Sequence, residues 1–147
     1  MAASYASIGG LAVIAGDGAS VSYNPEGAVV KATDISKSTV AYVYIPVPSP
    51  ADSKTSLTDY WVQCKGVQNT AVANHISINY GGGDPIESRD LRGSYRDIRE
   101  NTDSAVIDFN DDNDLPRGIN VTLKLNFTKS DAEFAIHSVS LGFIGST

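Results

Sequence analysis

The chain has 147 residues, enough for one domain that buries about 70% of the surface its unfolded form would expose, so folding requires neither a disulfide nor a metal. A net charge of −6 argues against nucleic acid as a general partner, because phosphate binding needs a concentrated basic field. The single cysteine, Cys64, excludes an intrachain disulfide, and its position in an apolar run points to a buried, inert thiol.

The apolar run Leu11–Ala15 is too short for the core of a signal peptide and far too short to span a membrane, and no basic segment precedes it. The expectation is a chain that is cytoplasmic, exported without a Sec-type signal, or separated from its leader. Candidate strands follow at Leu11–Ala15, Ala19–Tyr23, Ala28–Thr33 and Thr39–Ile45, divided by Gly16-Asp17-Gly18 and Asn24-Pro25-Glu26-Gly27, both rich in turn formers. Within 39–45, Val40, Tyr42 and Tyr44 alternate with Ala41, Val43 and Ile45, so this strand is apolar on both faces. It belongs in the middle of a sheet, or beneath a loop or a second subunit. Prolines at 46, 48 and 50 predict an extended connection at a sheet edge.

Further strands are predicted at Asp59–Val67, Val72–Tyr80 and Ala105–Asn110, whereas Ile86–Asn101 is dense in charge, lacks clean alternation and is expected to be a long loop. The strongest signal comes next. Ile119, Val121, Leu123, Leu125 and Phe127 alternate strictly with polar residues, the period of a half-buried antiparallel strand. In the last strand, Phe134–Ile144, the apolar phase slips between Ile136 and Val139, which predicts a β-bulge near His137–Ser138. Eight or nine strands at this spacing predict an all-β, antiparallel two-sheet sandwich, jelly-roll-like or another Greek key, with residues 1–147 as a single domain.

The Tyr-Ile-Pro-Val-Pro-Ser-Pro run at 44–50, the Gly-Ile-Asn-Val-Thr-Leu-Lys-Leu-Asn-Phe strand at 118–127 and the closing Ala-Ile-His-Ser-Val-Ser-Leu-Gly-Phe at 135–143 carry a resemblance. In order and character they are similar to a family of small β-sandwich proteins of unknown function from bacteria and fungi. The resemblance implies the sandwich fold and brings no functional residues with it.

Three clusters are candidates for function. Asp108, Asn110, Asp112 and Asp114 place oxygen ligands at every second position, a spacing by which a curved loop surrounds calcium. Asn113 and Ile119 stand where an EF-hand loop wants glycine and glutamate, and a solvated acidic turn accounts for the same residues. Arg89, Arg92, Arg96 and Arg99 are four of the five arginines, interleaved with acids. They read as a surface network of ion pairs, as a protein contact, or as an anion site.

Trp61 is out of phase with Tyr60, Val62 and Cys64 and shares its side with Gln63 and Lys65. That is the placement of a sugar-stacking platform or an interface anchor, and equally of a tryptophan beneath a loop. His75, Ser77 and Asn79 supply polar groups beside it if their strands pair. Two histidines, His75 and His137, lack zinc-site spacing, no nucleophile elbow is present, and Gly81-Gly82-Gly83 leads into Asp84-Pro85 rather than a phosphate loop.

The leading expectation is a non-enzymatic interaction or self-assembly module, homo-oligomeric or bound to another protein, with calcium at 108–114. A lectin-like carbohydrate-binding module, contacting glycan through Trp61, is the alternative. A hydrolase with an acidic cleft is the third reading, and the sequence leans against an enzyme.

Overall fold

A computed structural model describes residues 3–49, 54–80, 85–108 and 118–145. Its elements are β1 (Ala3–Gly9), a 3-10 turn (Gly10–Ala12), β2 (Ile14–Ala15), β3 (Ala19–Asn24), β4 (Gly27–Ala32), β5 (Val40–Val47) and β6 (Lys54–Lys65). They continue as β7 (Ala71–Tyr80), β8 (Pro85–Ser94), β9 (Ile98–Asn101), β10 (Ile107–Asp108), β11 (Ile119–Phe127) and β12 (Phe134–Gly145).

The strands form two antiparallel sheets packed as a sandwich. Sheet A has β12 at its centre. One edge of β12 pairs with β6, which in turn pairs with β9 and β10. The other edge pairs with β4 along 134–136 and with β1 along 138–144, and β3 lies outside β4. Sheet B runs β2-β5-β11-β7-β8. The chain crosses between the sheets after β1, β2, β4, β5, β6, β8, β10 and β11, the repeated crossing of a jelly roll.

The alternation in β11 is what seats it. Ile119, Val121, Leu123, Leu125 and Phe127 are all fully buried, each worth about 1.5–3 kcal/mol of transfer from water. Opposite them stand Leu57, Tyr60, Val62, Phe134, Ile136, Leu141 and Phe143 of sheet A. Cys64 is buried, and desolvation, followed by the nearby Asp97 carboxylate, pushes its thiol up to about 12. The thiol is therefore protonated at neutral pH.

The predicted bulge is present: the β12–β6 register shifts between Ile136 and Ser138. There β12 exchanges partner β4 for partner β1, and His137 Nδ1 lies 3.0 Å from the Glu26 carbonyl oxygen.

Four expectations are corrected. Leu11–Ala15 is part of a 3-10 turn and the two-residue β2, because Gly10 closes a turn to the Val13 amide. Residues 86–101 are strands β8 and β9 rather than a loop. Alternation is obscured there because the inward side chains of Glu87, Arg89 and Glu100 form a charged seam between the sheets. Arg89 Nη1 donates to Glu100 Oε2 at 2.7 Å, and Nη2 lies 3.3 Å from Glu87 Oε2. Pro46 lies inside β5. Tyr42, of the same parity, turns its N–H and C=O away from β11, to Asp17 and Gly16, so Pro46 removes no donor from the β5–β11 ladder. Finally, twelve strands are present among the described residues. Segments such as β1 are too poor in large apolar residues to announce themselves.

Candidate functional site

The outer face of sheet B carries the polar half of each alternating strand, and the strand registers assemble these side chains into rows. Tyr42 on β5 stands opposite Lys124 on β11, Lys124 opposite His75 on β7, and His75 opposite Asp90 on β8. The next row runs Tyr44, Thr122, Ser77 and Ser88. Aromatic rings thus occupy one end of each row, and hydrogen-bonding groups continue across three strands.

Two irregularities shape this face. In β7 the register shifts between Ala73 and His75, so Asn74 is unpaired and its side chain joins the groove. In β8 the stretch from Asp90 to Ser94 spans only His75 to Ala73 on its neighbour. The extra residues are absorbed by Arg92 and Gly93 with φ of 51° and 81°. Asp90 Oδ1 accepts the Arg92 amide at 2.9 Å, which holds this bulge at the rim. The result is an open groove of about 580 Å³ lined by Tyr42, Asn74, His75, Ser77, Asp90, Thr122 and Lys124.

Within the groove, His75 Nε2 lies 2.9 Å from Ser88 Oγ, and Ser77 Oγ donates to Asn79 Oδ1 at 2.8 Å. The side chains of Tyr42, Asn74, Thr122 and Lys124 have no hydrogen-bond or ion-pair partner among the described residues. They are free to bind a ligand. Tyr44 is 40% exposed. Its ring lies against Gly16, where an added Cβ would come within 2.5 Å of Cε2; only glycine admits this approach.

The residues expected to act together are dispersed. Trp61 is on β6 in sheet A and His75 on β7 in sheet B, so they occupy opposite outer faces and do not meet. The Trp61 indole donates to Asp97 Oδ2 at 3.2 Å, and the Arg99 guanidinium lies 4.9 Å from the ring centroid. One ring face is thus already stacked, and Trp61 joins β6 to β9. The four arginines do not form one patch. Arg89 lies in the inter-sheet seam, Arg92 in the β8 bulge, Arg96 over Tyr95 at 5.2 Å and Arg99 over Trp61.

Asn110, Asp112 and Asp114 lie outside the described residues, and of Asp108 only the backbone, in β10, is described. Among the described residues no three His, Cys, Asp or Glu side chains gather as metal ligands, and no helix is long and apolar enough to cross a membrane. Reasoning from sequence passed over Tyr42, Asn74, Asp90, Thr122 and Lys124 as a group. The alternation that exposes Thr122 and Lys124 on one face of β11 was a usable signal, but their neighbours depend on register.

No protein-family model and no curated protein sequence matches the chain. Among solved structures it is similar to a low-affinity xylan-binding module of carbohydrate-binding family 86 from Roseburia intestinalis, at 9% identity, 96% coverage of each chain and a TM-score of 0.58. It is also similar to a family 36 carbohydrate-binding module in complex with calcium and xylotriose (11% identity, 92% of this chain and 98% of that one, TM-score 0.48). A family 29 module from Piromyces equi matches at 9% identity, over 97% and 91% of the two chains, with a TM-score of 0.47. The first of these likenesses supports the sandwich, so the resemblance seen in the sequence holds for the fold and not for a family of unknown function.

The leading expectation of an interaction or self-assembly module is corrected: the structure that shares this fold at a TM-score of 0.58 is a xylan-binding module, which favours the carbohydrate-binding alternative instead. Two of the observations behind it take another meaning in the structure. On the outer side of β5 Tyr42 lines an open groove and Tyr44 is exposed beside it, and Arg89, Arg96 and Arg99 make separate intrachain contacts. The homo-oligomer rested on the same premises and has no other support.

Proposed function

We propose that the chain is a carbohydrate-binding module and that the groove of sheet B takes a polysaccharide chain lying across β5, β11, β7 and β8. The observation that carries this reading is the row geometry. Pyranose rings present C–H faces that pack on aromatic rings and hydroxyls that need partners at their rims. Tyr42 and Tyr44 offer the first, and Thr122, Asn74, Ser77 and Lys124 the second. The groove is open rather than enclosed, which suits internal segments of a polymer.

The test is calorimetric titration of the chain with a panel of soluble polysaccharides, xylan first because the family 86 fold neighbour is a xylan-binding module. Tyr42→Ala is expected to weaken binding by about tenfold or more, and Trp61→Ala to leave it nearly unchanged. Retention by Tyr42→Ala, or loss by Trp61→Ala with the fold intact, would move the site to the other sheet. Calcium belongs to the same proposal as a stabiliser held by Asp108, Asn110, Asp112 and Asp114, on the strength of their alternate spacing alone.

A further inference from the structure

We infer that the groove of sheet B selects polysaccharides that carry uronic acids, with Lys124 as the partner of the sugar carboxylate. The inference rests on the carbohydrate-binding reading above and specifies its ligand class.

Lys124 is the central cation of the groove. It is half-buried on β11, between Tyr42 on one side and His75 on the other. Among the described residues no other lysine or arginine lines the groove. Ion pairs among the described residues engage Lys31 and Arg89, and Lys124 has none. The acid in its own row, Asp90, is two strands away, about 10 Å at ordinary strand spacing, and one of its oxygens already accepts the Arg92 amide.

A carboxylate on the ligand gives Lys124 the charge-assisted hydrogen bond that no described residue of the chain supplies. A neutral sugar needs only hydroxyl partners, which Thr122, Ser77 and Asn74 supply without a charge. The Lys124 ammonium is a compact point charge on a flexible stem, suited to a carboxylate that projects from one sugar ring and arrives at variable height. Asp90 at the rim sets a limit on negative charge. It disfavours a second anionic group on the β8 side, so the geometry points to a chain bearing one carboxylate within the site rather than to a densely charged polyanion.

The test compares polymers that differ only in the carboxyl group. Glucuronoxylan, polygalacturonate and alginate are each titrated into the intact chain in native form and after reduction of their carboxyls to alcohols. Native glucuronoxylan, with its spaced carboxyls, is expected to bind about fivefold or more tightly than its reduced form, and polygalacturonate and alginate, charged at every residue, to show a smaller advantage. That advantage is expected to disappear in about 1 M salt, where the Debye length falls to about 3 Å. Lys124→Gln is expected to abolish the advantage while keeping affinity for the reduced form. Lys124→Arg should retain it, and Lys65→Gln, on the other sheet, should leave it unaltered. Melting curves of each variant confirm the fold. Equal binding of native and reduced forms, or an advantage that survives in Lys124→Gln, overturns the inference and leaves the carbohydrate reading standing. Binding to neither form of any polymer, nor to neutral xylan, overturns both.

Discussion

Tyr60 shows how a single side chain reports on the seam between the sheets. It is fully buried, its hydroxyl has no hydrogen-bond partner among the described residues, and its row neighbour on β9 is Glu100. Burial raises its pKa from the ordinary 10 to about 12; Arg89 opposes this, and Glu87 and Glu100 add to it. A folded-state pKa above the unfolded one means that the unfolded chain loses its proton first as pH rises. Stability is therefore complete below pH 10 and declines between pH 10 and about 12. Of the seven tyrosines, one is expected to ionise late, together with unfolding, in a titration followed by tyrosinate absorbance and circular dichroism. Ionisation of all seven before any loss of structure would contradict the burial of Tyr60. The same scale governs the groove, where Tyr42 and Lys124 are expected to carry stacking and charge respectively. In the sequence Tyr42 reads only as part of a doubly apolar strand and Lys124 as one polar position of β11, because a tyrosine or lysine on a strand is unremarkable until its cross-strand neighbours are known.

At the scale of elements, β12 decides how sheet A is built. Its bulge at Ile136–Ser138 is where one edge passes from β4 to β1, and two glycines make room for the Ile136 carbonyl. A Cβ on Gly10 would stand 2.0 Å from that oxygen and 2.9 Å from the Gly27 Cα. Gly27 itself has φ of 139°, open to glycine and strained for other residues. Gly10→Ala must displace backbone in two strands and is expected to destabilise the fold by about 1–3 kcal/mol, the usual range for forced overpacking. Gly9→Ala, with nothing within 4 Å of the added methyl, is the control. Urea unfolding of the two variants separates them, and equal midpoints would remove the role assigned to the bulge. The bulge itself was legible as a slip in apolar phase, whereas β8 was not legible as a strand. Its inward residues Glu87 and Arg89 are charged, so the period of two that marks a half-buried strand is hidden when the buried partner is an ion pair rather than a core.

At the scale of the whole molecule, the sandwich is closed along one side by Arg89, which joins β8 of sheet B to Glu100 and to the Asn101 carbonyl of β9 in sheet A. The acidic run 108–114 lies between β10 and β11 in the sequence and carries the proposed calcium ligands. A ligand of the native state at a hundred times its dissociation constant adds about 2.7 kcal/mol, several degrees in melting temperature for a domain of this size. Excess calcium is expected to raise the melting temperature by that amount relative to chelator. Superimposed melting curves would reduce residues 108–114 to a solvated turn.

The sequence by itself determined the all-β class, the face that β11 buries, the inert state of Cys64 and the bulge in β12. Each follows from local spacing: side chains alternate across a strand whatever that strand pairs with, and a slip in phase needs an extra residue wherever it occurs. Only the tertiary structure decided which residues share a surface. Trp61 and His75 both point away from the core, yet they stand on opposite sheets, while Tyr42, Lys124, His75 and Asp90, from four separate strands, form one row. Strand order and register are set by long-range packing of the two sheets, and a local period carries no information about which neighbour that packing selects.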